Sequence, residues 1–187
     1  MAGQQQQRHR LAVVVMGVSG TGKSSVAAGL AGVLGVPWVD GDDLHAPEAV
    51  ARMRGGQSLT DEDRWPWLAR IGACLVNDEA APDGVVVACS ALKRVYRDRL
   101  RAAAPGLRFV FLDGPRALIR RRLEERSGHY MPPALLDSQL QTLEKPGASE
   151  PDVLHADIDE PVALIAARVG ALLLDGTRHP STLEVSA

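Results

Sequence analysis

Gly17-Val18-Ser19-Gly20-Thr21-Gly22-Lys23-Ser24 reads GxxxxGK[ST] without a mismatch, directly after the apolar run Leu11 to Met16 and directly before the helix-patterned stretch Ser24 to Leu34. Strand, glycine loop and helix in that order form the setting in which this motif cradles phosphate. A triphosphate carries several negative charges. Backbone N–H groups turned inward around Gly20 and Gly22, reinforced by the positive end of the following helix, reach its oxygens only where no side chain stands in the way. Lys23 is placed to meet the β- and γ-phosphates as a point charge, and the Ser24 hydroxyl to ligate a bridging Mg²⁺. Gly17, Ser19, Gly20, Thr21, Gly22, Lys23, Ser24 and Ser25 are therefore the expected nucleotide-binding residues, with ATP and Mg²⁺ as the expected ligands.

Outward from this loop, short β-branched runs alternate with longer helical patterns, the signature of a parallel sheet covered on both faces. Strands are predicted at Leu11 to Met16, Val36 to Val39, Val85 to Cys89, Leu107 to Leu112 and Val153 to Ala156. Helices are predicted at Ser24 to Leu34, Glu48 to Met53, Trp67 to Glu79, Arg94 to Ala103, Ala117 to Glu125 and Val162 to Leu174. The fold class is α/β: a three-layer P-loop fold with a five-stranded parallel sheet. Leu68, Ile71 and Leu75, with Trp67 and Cys74 beside them, form a core-facing stripe. Thr60 and Asp63 have the spacing of a capping box, and Pro66 suits a first helical turn.

The 187 residues fit one domain, expected over 10–175, with a disordered leader at 1–9 and a flexible tail at 176–187. A net charge of −2 and a pI near 6.2 lack the basic excess of a nucleic-acid binder. Cys74 and Cys89 stand in no disulfide or zinc spacing and read as reduced core residues. The longest apolar run is far short of the ~20 residues of a membrane span, so a cytoplasmic protein is the expectation. Ser127 to Pro151 has weak periodicity and several Pro and Gly residues, and is read as a mobile flap inserted before the last strand.

After the second strand comes Asp40-Gly41-Asp42-Asp43-Leu44-His45, an acidic cluster where open α/β sheets place their ligands. Asp40 can hold Mg²⁺ through water, and Asp42 can take the proton of an attacking hydroxyl. Asp113, closing the Walker B-like run Phe109-Val110-Phe111-Leu112, competes for the metal; Asp40 is favoured. Polar groups, Arg64, and Lys93, Tyr96 and Arg97, stand at comparable strand-to-helix junctions, and the several cations among them suit an anionic substrate. Arg122 and Arg126, four apart on one helical face, can point together at ATP, with Arg126 as a catalytic cation. Arg120 and Arg121 read as a solvated face salt-bridged to Glu124 and Glu125.

These motifs, in order, resemble the gluconate kinase family, similar in plan to shikimate kinase and the nucleoside monophosphate kinases. The likeness runs from about Val13 to Leu174. It rests on MGVSGTGKS, DGDDLH, Leu59-Thr60-Asp61-Glu62-Asp63-Arg64 with Pro66-Trp67-Leu68, CSALK with Tyr96-Arg97-Asp98, Arg126-Ser127-Gly128-His129-Tyr130-Met131, and Ser138-Gln139 with Thr142-Leu143-Glu144. The resemblance implies ATP plus D-gluconate giving ADP plus 6-phosphogluconate, a lid around 127–139 and a homodimer. It also implies that Asp42, His45, Arg64, Lys93 and Arg97 face the sugar acid, Arg122 the adenine, and Arg126 with His129 the lid. Three positions depart from the family pattern: Ala49 for Asn, Arg52 for Lys and Ser58 for Pro. A kinase for another small hydroxy acid, such as shikimate, and a non-catalytic ATP-binding regulator are the rival readings.

Overall fold

The computed structural model describes residues 10–125 and 133–178. Its centre is β1 (Leu11–Met16), flanked in parallel by β3 (Gly84–Ala88) and β4 (Arg108–Asp113). Beyond these lie β2 (Trp38–Asp40) and β5 (Val153–Asp157), giving the all-parallel order β2-β3-β1-β4-β5. Strands buried on both faces need no polar alternation, which is why Val13, Val14 and Val15 follow one another without a charge. The pleat sends them to opposite sides. Val13 and Val15 join a core built with α1 (Lys23–Leu34), α5 (Arg116–Glu125), α6 (Pro133–Thr142) and α7 (Val162–Arg178). Val14 and Met16 join another built with α3 (Asp61–Leu75) and α4 (Arg94–Ala103). The short α2 (Pro47–Arg54) buries none of its residues.

Four expectations shift. The third helix begins at Asp61, six residues before Trp67, because the capping box forms: the Thr60 hydroxyl accepts from the Asp63 amide and the Asp63 carboxylate accepts from the Thr60 amide. Pro66 therefore lies in the second turn, past the free amides of the first, and leaves the Glu62 carbonyl without its helical donor. The second strand starts at Trp38, after Pro37, whose ring cannot donate to a ladder. Part of the expected flap is helix α6, anchored by Leu136 in the core; residues 127–132 of the expected lid lie outside the described residues. Backbone helix continues to Arg178, three residues into the expected tail.

Candidate active site

The glycine loop joins β1 to α1, and its glycines are required by geometry. Gly20 has φ +86° and a Cβ there would stand 2.7 Å from Leu123 Cγ; Gly22 has φ +87° and is the N-cap of α1. The loop is thus pressed against α5 on one side, while a Cβ on Gly22 meets nothing within 4 Å. Inside it, Thr21 is buried and its hydroxyl donates to the Val18 carbonyl at 2.8 Å, and Lys23 Nζ donates to the same carbonyl at 3.2 Å. Ser25 is exposed on the first turn of α1.

Asp40, the last residue of β2, links the loop to the acidic cluster. Its Oδ2 accepts from Ser24 Oγ at 2.7 Å, and its Oδ1 accepts from the Asp42 amide at 3.1 Å, capping a 3₁₀ turn over Gly41–Leu44. One carboxylate therefore fixes the hydroxyl at the start of α1 and the turn that carries Asp42. A hydroxyl and a carboxylate side by side are hard oxygen donors, the set that suits Mg²⁺. Asp113 stands elsewhere, at the end of β4, paired with Lys145 at 2.6 Å. The Cys89 thiol, just past β3, is pushed up to about 12 by burial, with Asp42 adding to the rise and Lys23 and Arg64 opposing it.

Across from the turn, α3 supplies a wall. Trp67 Nε1 donates to the Gly41 carbonyl at 2.6 Å, and the His45 ring stacks on Trp67 with centroids 4.3 Å apart and planes 10° from parallel. Burial, then the charges of Arg64 and Arg70, pull His45 down to about 4, so its imidazole is neutral at physiological pH. Its Nδ1 is buried without a partner. Arg64 lies over the Tyr96 ring, 5.9 Å from the centroid. Lys93, the N-cap of α4, is held by both oxygens of Asp61 at 2.7 and 2.8 Å, and Tyr96 Oη donates to the same carboxylate at 2.6 Å. These contacts, Lys93 first, hold the Asp61 carboxyl below its ordinary range. Asp61 was not singled out in the sequence, where it reads as one of three acids at a helix start.

Arg97 does not join this group. It is 1 % exposed, grips Glu150 with two bonds of 2.7 Å and donates to the carbonyls of Ala91 and Leu92 at 3.1 and 3.2 Å. Its fork is thus satisfied inside the protein, and the expectation that it faces the sugar acid is corrected: it ties α4 to the chain before β5. Arg122 donates to the Ile158 carbonyl at 2.7 Å, in the turn after β5. Arg120 and Arg121 lie 4.0 and 3.7 Å from Glu124 and Glu125, the solvated face read from the sequence. Arg126 and His129 lie outside the described residues. Arg52, one of the departures, bonds Asp63 at 2.7 Å.

A parallel sheet with a phosphate loop at its central strand and a carboxylate-bearing turn beside it defines a P-loop kinase. Residues 13–146 match the family described as AAA domain. The chain is 51% identical over 139 residues to a gluconokinase of Gluconobacter oxydans, covering 74% of this chain and 78% of that one. It is 42% identical over 154 residues to the thermoresistant gluconokinase of Escherichia coli, covering 82% and 88%. Among solved structures, a gluconokinase from Sinorhizobium meliloti superposes with a TM-score of 0.82 at 47% identity, covering 92% of this chain and 96% of that one. A shikimate kinase from Aquifex aeolicus, 17% identical with a TM-score of 0.55, shares the fold alone. The chain belongs to the gluconokinase family.

Proposed function

We propose that this chain transfers the γ-phosphoryl group of ATP to D-gluconate, giving ADP and 6-phospho-D-gluconate. The observation that carries the reading is the double engagement of Asp40, which sets the Asp42 turn beside Ser24 and the phosphate loop. Family membership supports the choice of acceptor.

In this mechanism the loop amides of Gly20 and Gly22 and the ammonium of Lys23 bind the triphosphate and hold the γ-phosphorus towards the acceptor. Ser24 and Asp40 would hold Mg²⁺, which would supply charge neutralisation to the triphosphate. Asp42 takes the proton of the attacking hydroxyl; the new O–P bond forms as the bond to the β-phosphate oxygen breaks, and ADP leaves with that electron pair. Arg64 and Lys93 orient the carboxylate and hydroxyls, and the neutral His45 offers a hydrogen bond rather than a charge. Arg126 and His129 are proposed closing residues on the strength of the family resemblance, as are the lid about 127–139 and Arg122 beside the adenine. The same resemblance supports a homodimer. No described helix is long and apolar enough to cross a membrane, and a cytoplasmic location is part of the proposal.

A coupled ADP-release assay over gluconate, other sugar acids, shikimate and nucleoside monophosphates tests this. Gluconate is expected to give the highest kcat/KM, and absence of a gluconate response rejects the reading. In that assay Asp42→Asn is expected to lower kcat by at least ~10²-fold, the scale of a positioned acid or base. A near-normal kcat removes Asp42 as the base.

A further inference from the structure

Gln139 lies on α6, and its Oε1 accepts from the Ser19 backbone N–H at 2.7 Å, across 120 residues of sequence. Ser19 is the third residue of the phosphate loop, immediately before Gly20. The glycines that let the loop amides turn inward also leave the loop free to adopt other shapes, so a nest of donors is preorganised only where something outside holds it. Thr21 and Lys23 bond the Val18 carbonyl, a contact within the loop, whereas Gln139 reaches it from another element. That element is anchored in the core at one point. Leu136, one turn earlier, is 2% exposed in the core shared with α1 and α5. The chain that follows α6 is fastened to the start of α4. The Glu144 amide donates to the Leu92 carbonyl at 2.9 Å, and the Glu144 carboxylate accepts from the Arg94 amide at 2.6 Å, at the first turn of the helix that Lys93 caps.

We propose that Gln139 is a positioning residue that clamps the phosphate loop through the Ser19 peptide, and so fixes the aim of the Gly20 and Gly22 amides at the triphosphate. Its action is on nucleotide binding; Glu144, five residues on, bonds the start of α4 instead. Unlike Lys23, it touches no reacting atom, and its effect depends on an acceptor oxygen at the length of a glutamine. The inference rests on nucleotide binding at the loop, not on which acid accepts the phosphoryl group.

Gln139→Met keeps the length and apolar stem and loses the acceptor; Gln139→Ala loses both. Titration of each with a non-hydrolysable ATP analogue by calorimetry is expected to show Kd raised about 5- to 10-fold in both, the scale of one net hydrogen bond. KM for ATP should rise in step, KM for gluconate should stay within about twofold, and thermal melts should show both variants folded. If Gln139→Met binds the analogue like the parent while Gln139→Ala does not, the side chain acts by packing and the proposal is overturned. It is equally overturned if the constants for nucleotide and gluconate rise together, since that marks general loosening of the domain. Because the analogue is titrated without an acceptor, failure of the gluconate reading leaves this measurement intact.

Discussion

Both oxygens of Asp40 are engaged, one by Ser24 and one by the turn that bears Asp42, so this side chain has a structural and an ionic role at once. Asp113 answers Lys145 at the end of β4. Asp40→Asn is therefore expected to raise the Mg²⁺ concentration needed for half-maximal turnover at least tenfold, on the scale of a lost charge-assisted contact, and Asp113→Asn to change it little. Titration of initial rate against Mg²⁺ at saturating ATP checks this, and severe loss in Asp113→Asn alone reverses the assignment. Arg97 makes the opposite point: an arginine near a ligand cleft is not a ligand when its fork is already full. The paired guanidinium groups of Arg97, then Arg101, draw Glu150 down to about 2 from an ordinary 4.5. Glu150→Gln leaves Arg97 buried beside a neutral partner, which is expected to cost about 3–5 kcal/mol in urea unfolding at pH 7, while KM for gluconate stays within about twofold.

At the scale of elements, α3 connects the fold to the site, because one face packs on the sheet through Leu68 and Ile71 while Trp67 grips the Gly41 carbonyl and carries His45. Stacking on that wall desolvates the imidazole, which gives the helix a titration signature. His45 is held near 4 in the folded protein against 6.5 when free, so the unfolded chain binds a proton that the folded chain refuses between those values. Stability from this group is complete above about pH 6.5 and is lost as the pH falls towards 4. Glu150, with its folded value lowered from 4.5 to about 2, loses its contribution only in the lower window. Urea midpoints measured from pH 7.5 to 4.5 are expected to fall, and His45→Gln to flatten that fall; an unchanged slope in His45→Gln shows that the histidine titrates normally. The start of α3 was legible in the capping box, yet the apolar stripe from Trp67 drew the boundary inwards, because periodicity reports the packed face and not the polar first turn. Helix α6 was illegible for the converse reason: Leu136, Leu140 and Leu143 carry helical spacing, but among Pro and Gly residues the pattern reads as loop.

Across the whole molecule, the phosphate loop and the acidic turn leave neighbouring regions of one sheet, with β3 between β1 and β2. Local pattern made the five strands and the loop readable, since each is decided within a dozen residues. The contacts that assign roles were not, because they join distant segments: Gln139 to Ser19, Lys93 to Asp61, Arg97 to Glu150. The same long-range closeness sets the last test. A Cβ on Gly41 would lie 2.5 Å from the Ala88 carbonyl oxygen, and Ala88 pairs with Asp40 in the ladder. That oxygen belongs to the backbone of a buried strand and has no room to retreat, so Gly41→Ala must push the end of β2 away from β3, taking Asp40 from Ser24 and moving Asp42. The expected result is a loss of about 1–3 kcal/mol, the scale of overpacking, together with a drop in turnover far larger than the unfolded fraction explains. Gly32→Ala is the matched control, on the exposed face of α1 with nothing within 4 Å of the new methyl; it is expected to stabilise by about 0.5–1 kcal/mol through helix propensity and to leave turnover unchanged. Unfolding curves and ADP-release rates measured side by side on the two variants decide it: if Gly41→Ala keeps parental kcat, the separation of these two strand ends does not control the chemistry.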